Sequence, residues 1–305
     1  MGFKYFILFA LSVVAVLCKG SGAGHQHWEK NADLYILSFS DLTFKVDVNT
    51  SARIVSFQKN QKEILAQPSV HSFNYGSTFW PAPQSNWGWP PYPFLDGEPY
   101  EGELFGDTLK TTSKKDPQSG LRFLKSFIPD VENGFVEIQY SIENISGDSI
   151  NVDPWEVTRA ESMGLSFFPE GESEPLEKSN LNNVVIEDGM VWYFCDTTLF
   201  TKSQKIFTSG KEGWLAHSGN GLLFVKVFPD IKPNTASSGQ AEIEIFAHEN
   251  KKYIELENHG EQEALNPGQS LKYTVRWYLM ELPSSVKPEV GNKQLVHLVR
   301  KMISK

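Results

Sequence analysis

Short runs in which apolar and polar residues alternate recur along most of this chain. Successive strand side chains point to opposite faces, so such runs read as strands with one buried face. Leu42-Thr43-Phe44-Lys45-Val46-Asp47-Val48 alternates strictly, and Asn49-Thr50-Ser51-Ala52 turns the chain into Arg53-Ile54-Val55-Ser56-Phe57. Residues 135–142 form another such run, closed by Asn144-Ile145-Ser146-Gly147-Asp148. A strand resumes at 150–152 and is expected to stop at Pro154. Val184-Val185-Ile186 and Met190-Val191-Trp192-Tyr193-Phe194 flank Asp188-Gly189, a strong hairpin signal. Further strands are expected at 221–228, 241–247, 252–257 and 271–279. Only 292–303 reads as a helix, with Leu295, Leu298, Val299 and Met302 on one face. No low-complexity linker and no solenoid repeat divides the chain, so the expectation is one all-β domain of antiparallel sheets with a short C-terminal helix.

The first 23 residues have a different character. Lys4 supplies a positive start, residues 5–17 are apolar except for Ser12, and Ser21-Gly22-Ala23 is a small-residue exit. This is the pattern of a cleavable signal peptide, with the cut after Ala23. The apolar run is shorter than the roughly 20 residues a membrane helix needs. The expected organisation is a signal peptide at 1–23, a β domain at 24–289 and a helix at 290–305, the mature protein being exported to the periplasm or outside the cell. Cys18 raises the alternative of a lipid anchor, against which Leu17 is a poor preceding residue. Cleavage leaves Cys195 as the one cysteine, so no internal disulfide is available. The chain carries 28 Lys+Arg against 37 Asp+Glu, a net charge of −9. That balance excludes nucleic acid or an anionic membrane as a partner held by bulk charge.

Four places could carry chemistry. Residues 71–106 form a long segment dense in proline and tryptophan, too aromatic to be disordered. Its Trp80-Pro81-Ala82-Pro83-Gln84-Ser85-Asn86-Trp87-Gly88-Trp89-Pro90-Pro91 core is expected to be a folded loop over one sheet face. Trp80, Trp87 and Trp89 would then offer flat faces to a pyranose ring, the alternative being that they plug the end of the sandwich. In Val152-Asp153-Pro154-Trp155-Glu156-Val157-Thr158-Arg159, Trp155 adds a further indole, Glu156 is a candidate general base and Arg159 a candidate for sugar hydroxyls; the alternative is a surface ion pair. In Tyr253-Ile254-Glu255-Leu256-Glu257, alternation puts Tyr253, Glu255 and Glu257 on one face, a candidate acid/base site or an ordinary solvated face. Lys226 lies in an apolar run and either snorkels out or points into a site, with His217 just before that strand. No zinc-type His/Cys spacing, phosphate-binding glycine loop, nucleophile elbow or EF-hand loop is present, so no metal or cofactor is expected.

Gly76-x-x-Phe79-Trp80-Pro81-Ala82-Pro83-Gln84 followed by Trp87-x-Trp89-Pro90-Pro91 resembles a family of bacterial secreted proteins of unknown function with the galactose-mutarotase-like fold. Pro154-Trp155-Glu156-Val157-Thr158, Gly213-Trp214-Leu215-Ala216, the Tyr253 segment and Leu265-x-Pro267-Gly268-x-Ser270-Leu271 carry the same resemblance, which runs from about Leu42 to Pro283. It implies a β-supersandwich with a carbohydrate site on the concave face. The places of a polar or basic pair in that family's loop are held here by Ser77 and Thr78. Aldose 1-epimerases, more distant relatives, use a histidine as acid and a glutamate as base. The stretch matching their histidine is Pro154 to Thr158, which has none, and their glutamate falls near Glu249 or Glu255. The resemblance and the residues together lead to an exported carbohydrate-binding protein, the alternative being a sugar epimerase or mutarotase. Glu255 and Glu156 are the candidate catalytic pair. Trp80, Trp87, Trp89, Trp155, Arg159, Lys226 and His217 are the candidate binding residues.

Overall fold

The computed structural model describes residues 26–161, 163–172, 177–179, 183–195, 202–249 and 253–304. The expected signal peptide at 1–23, with Cys18, lies outside them. Among the described residues, twelve strands form one antiparallel sheet and ten form a second. In the larger sheet the strands Arg53–Lys59, Ser77–Ala82, Ile150–Glu161, Tyr253–His259, Ile243–Ala247 and Gln204–Thr208 lie side by side in that order. In the smaller sheet the order is Leu165–Pro169, Trp214–Gly219, Leu222–Val227, Ser270–Glu281, Phe135–Asn144 and Leu121–Asp130.

The sheets close on one apolar core. Phe44, Phe57, Phe224 and Trp277 meet there with ring centroids 5.0–6.1 Å apart, and Phe79 stacks on Tyr140 at 4.0 Å. The Lys293–Ile303 helix, capped by the Asn292 side chain accepting from the Gln294 amide, covers the other face of the smaller sheet. Leu295 and Val299 pack there in one cluster with Trp192, Trp214 and Phe167. Among the described residues no comparable helix covers the outer face of the larger sheet, and that face carries the cleft described below.

Two sequence expectations change. Pro154 does not end its strand, which runs unbroken from Ile150 to Glu161. Ser77–Ala82 is not loop but a fully buried strand inside the sheet. Pro81 lies opposite Pro154 in the register. On its other side the Ser77–Ala82 strand touches Arg53–Lys59 only through Ile54 and Ser77. Pro81 therefore costs no ladder hydrogen bond on that side. The Asp188-Gly189 hairpin forms as expected, both residues at positive φ.

Candidate functional site

The register decides which side chains share the outer face. Trp155 lies opposite Trp80 on one neighbour and His259 on the other; Val157 lies between Thr78 and Glu257; Arg159 lies opposite Glu255. One strand further, Phe246 is opposite Glu255 and Glu244 opposite Glu257, and Lys205 is opposite Phe246. Over these residues opens a cleft of about 580 Å³, lined by Trp80, Trp155, Lys205, Phe246, Tyr253 and Glu255 from strands and by His71, Phe73, Asn74, Gln84, Trp89, Ser203, His248 and Glu249 from connecting segments.

The aromatic wall is graded by exposure. Trp155 and Trp80 are almost fully buried and meet edge to face at 5.1 Å, while Trp89 is 55% exposed and leans on Trp80 and Phe73. Trp87 turns away: its Nε1–H donates to the Pro81 carbonyl at 2.8 Å and its ring packs on Trp80, Trp155 and Tyr92. It supports the wall and does not line the cleft.

The polar side is a chain of charges. Arg159, 1% exposed, donates to Glu255 at 2.8 Å and to the Thr78 hydroxyl at 3.1 Å, and lies over the Trp80 ring. Lys205 Nζ sits 2.5 Å from Glu244 and 3.1 Å from Glu257. The Trp155 indole donates to Glu257 at 2.8 Å. His259 stands 3.3 Å from both Asp153 and Glu244 and stacks on Trp155. Burial opposes the charged forms of Glu257, His259, Lys205 and Glu244. It pushes the Glu257 carboxyl up to about 7, against the pull of Lys205 and with the push of Glu244 and Glu255. For His259 burial is outweighed by Glu244 and Asp153, and the imidazole is raised to about 9. For Lys205 the same contest ends above the ordinary lysine value, Glu257 and Glu244 prevailing. Ligand atoms of Glu244, Glu257 and His259 come within 4.8 Å of one another, a spacing a metal ion would accept. The Lys205 ammonium already supplies positive charge between the two carboxylates, so the donor set reads as an ion network rather than a metal centre.

The cleft also holds two imidazoles. His71 Nδ1 accepts from the Phe73 and Asn74 amides, which leaves the proton of a neutral ring on Nε2. His71, His248 and Tyr253 form a ring cluster with centroids 4.8–5.7 Å apart, and Asn74 donates to the Tyr253 hydroxyl at 2.7 Å.

Trp80, Trp89, Trp155 and Glu255 thus line the cleft, with Arg159 bonded behind Glu255. Besides Trp87, three expected members do not come to it: Glu156, Lys226 and His217. Glu156 and Arg159 are three residues apart on one strand, so they face opposite sides. Glu156 points into the sandwich, where Tyr140 donates at 2.6 Å, Trp277 at 3.3 Å and Lys226 pairs at 2.9 Å. Lys226, equally buried, also donates to the Leu256 carbonyl and ties the two sheets together. Glu156 and Glu255 therefore do not converge. His217 lies in the smaller sheet, bonded to Ser166 at 3.0 Å, and burial lowers it to about 4. Lys205, His71 and His248 are cleft residues that the sequence reading missed. Lys205 shares a strand face with Phe207, a weak signal in itself; the two histidines come from connecting segments, where no periodicity marks them.

Two antiparallel sheets around one core give the chain a galactose-mutarotase-like fold. Solved structures agree in fold. A galactose mutarotase-like protein from Lactobacillus casei ATCC 334 matches at TM-score 0.57 and 11% identity, over 84% of this chain and 100% of that one. A galactose mutarotase related enzyme from Lactobacillus acidophilus matches at TM-score 0.54 and 10% identity, over 86% and 100%. A TPR-domain containing protein from Parabacteroides distasonis ATCC 8503 matches at TM-score 0.60 and 12% identity over 84% of this chain, which spans about half (49%) of that protein. No curated protein matches the sequence. Residues 58–280 match the DUF4380 model, a domain of unknown function, and the chain belongs to that family.

Proposed function

We propose that this chain is an exported carbohydrate-binding protein and that the cleft on the larger sheet is its site. The observation that carries the reading is the pairing, in one cleft, of the exposed Trp89 face with fixed polar groups, Lys205 and Glu255 foremost. A pyranose offers an apolar C–H face to such a ring and hydroxyls to such groups, and mostly apolar pockets with a few convergent polar atoms are the general form of small-ligand sites. Export is carried by the signal-peptide pattern at 1–23. A glycan array probed with the mature protein tests the binding, and intact mass of the exported chain tests cleavage after Ala23. Absence of binding to every printed glycan would sink the carbohydrate reading.

A second reading, a sugar epimerase or mutarotase, is favoured by one observation. His71, His248, Glu249 and Glu255 bring imidazole and carboxylate groups into the same cleft, the residue types that general acid and base steps use. The fold relatives include a galactose mutarotase related enzyme. Exchange between anomers of glucose and galactose, followed by NMR with and without the protein, decides it. Acceleration that disappears in Glu255→Gln and His248→Ala would establish chemistry; exchange at the uncatalysed rate would leave binding alone.

A further inference from the structure

We propose that Lys205 orients the ligand, donating to an oxygen of the bound sugar beside the Trp155 ring, and that Glu244 and Glu257 serve to hold its ammonium there. The inference rests on the carbohydrate reading above. Its basis is geometric. Glu244 and Glu257 are fully buried, whereas the Lys205 side chain, bonded to both, keeps 21% exposure and lines the cleft. Nζ lies 5.1 Å from the centroid of the Trp155 ring, and the same Glu257 oxygen that accepts the Lys205 hydrogen bond also accepts from the Trp155 indole. Ammonium and ring are thus fixed relative to each other by a shared acceptor. A sugar stacked on the aromatic wall would present its oxygens to a donor whose position is already set.

Burying two carboxylates to hold one cation is an expensive arrangement, since desolvation of paired charges commonly exceeds their attraction. Surface lysines are solvated without such support. Here the support extends a further step: His259 bridges Glu244 to Asp153, so the whole row braces one ammonium at the cleft surface. The two carboxylates keep that ammonium protonated at neutral pH against the effect of burial. Lys205 is accordingly a fixed donor of direction and charge, and its ligand chemistry is a neutral polyhydroxylated ring with an acceptor oxygen at the edge of its stacking face.

The test pairs protein variants with ligand variants. Methyl β-galactopyranoside, methyl β-glucopyranoside and their monodeoxy analogues are titrated by calorimetry into the wild-type protein, Lys205→Met, and Lys205→Met/Glu257→Gln. The double variant removes a buried carboxylate together with the cation. The expected result is a loss of about 10- to 100-fold for the parent glycoside in both variants, the range of a charge-assisted hydrogen bond. One deoxy analogue should show the same loss on the wild-type protein and no additional loss on the variants. Melting temperature measured alongside gives the folded fraction. Equal affinity per folded molecule in wild type and both variants would overturn the assignment while leaving the carbohydrate reading intact. A wild-type protein that binds neither parent glycoside overturns both for these sugars, and the two failures are told apart by whether the wild type itself binds.

Discussion

Glu156 and Lys226 show how a side chain can be read correctly as unusual and still lie away from the cleft it was assigned to. Both are charged and both stand in apolar runs, and each is 0% exposed between the sheets. Removing one member of such a pair leaves a buried charge alone, which typically costs 3–5 kcal/mol, roughly, whereas neutralising both is often close to neutral. Lys226→Met should therefore lower unfolding free energy by about 3 kcal/mol or more. Glu156→Gln/Lys226→Met should recover most of that loss, because the glutamine oxygen can still accept from the Trp277 indole while its amide NH2 donates to the Tyr140 hydroxyl oxygen. Urea unfolding of the two variants checks this. A silent Lys226→Met with lost ligand binding would return the residue to the site. The parity that separates Glu156 from Arg159 was legible in the sequence, since two residues three apart on a strand cannot share a face.

At the level of elements, the Trp-Pro segment divides into a strand, a brace and an exposed rim. Trp155 and Trp80 are floor, Trp87 is bonded into the segment itself, and Trp89 alone is largely open. Trp89→Ala should weaken ligand binding with unfolding free energy changed by no more than about 0.5 kcal/mol, as for an exposed side chain. Trp155→Ala should cost about 3–5 kcal/mol as a buried aromatic truncation. Glycan titration beside thermal unfolding separates the two, and a Trp89→Ala that unfolds the protein would make the rim a structural plug. The entrance to the Ser77–Ala82 strand has its own constraint. Gly76 sits at φ +61°, and a Cβ there would lie 2.2 Å from the Ile54 carbonyl oxygen. Its amide and carbonyl are both used, by Ala66 and Arg159. Gly76→Ala should destabilise by about 2 kcal/mol or more from backbone strain alone, measured by chemical denaturation; an unchanged midpoint would show that the strand can shift away from Ile54. This strand was hidden in the sequence because Pro81 and its neighbours read as loop. Its legality depends on which neighbour the proline faces, and that is a property of the sheet rather than of the segment.

Across the whole molecule, alternation was enough to read an all-β domain of antiparallel strands, and helical periodicity the C-terminal helix, because each element's pattern reports its own burial; the strand Leu165–Pro169, buried on both faces, carries no alternation and was not read. The cleft was only half legible, since Lys205, Glu244, Glu257 and His259 come together through the pairing of three strands whose register no single stretch encodes. That network makes the molecule's stability depend on pH in a predictable direction. His259 is raised from 6.5 to about 9 when folded, burial being outweighed by Glu244 and Asp153. A folded-state pKa above the unfolded one contributes stability that is full below pH 6.5 and is lost as pH rises through 9. Glu257, raised to about 7 by burial, adds a loss of the same sign between 4.5 and 7. His217, lowered to about 4 by burial, acts on the acid side: its contribution fades as pH falls from 6.5 through 4. Lys125, lowered to about 7 by burial while donating to the Ser51 and Ala52 carbonyls, opposes His259, since a depressed lysine gains stability as pH rises from 7 towards its ordinary value. The wild-type curve is thus a sum of opposed slopes, and the diagnostic quantity is a difference. Unfolding free energy of the wild type minus that of His259→Gln should be largest near pH 6 and shrink by about 3 kcal/mol, one pKa unit being worth 1.36, as pH rises to 9. Urea titrations at half-unit intervals measure it. A difference that stays constant from pH 6 to 9 would mean that His259 does not carry the raised proton affinity, and that Glu244 is neutralised by Lys205 alone.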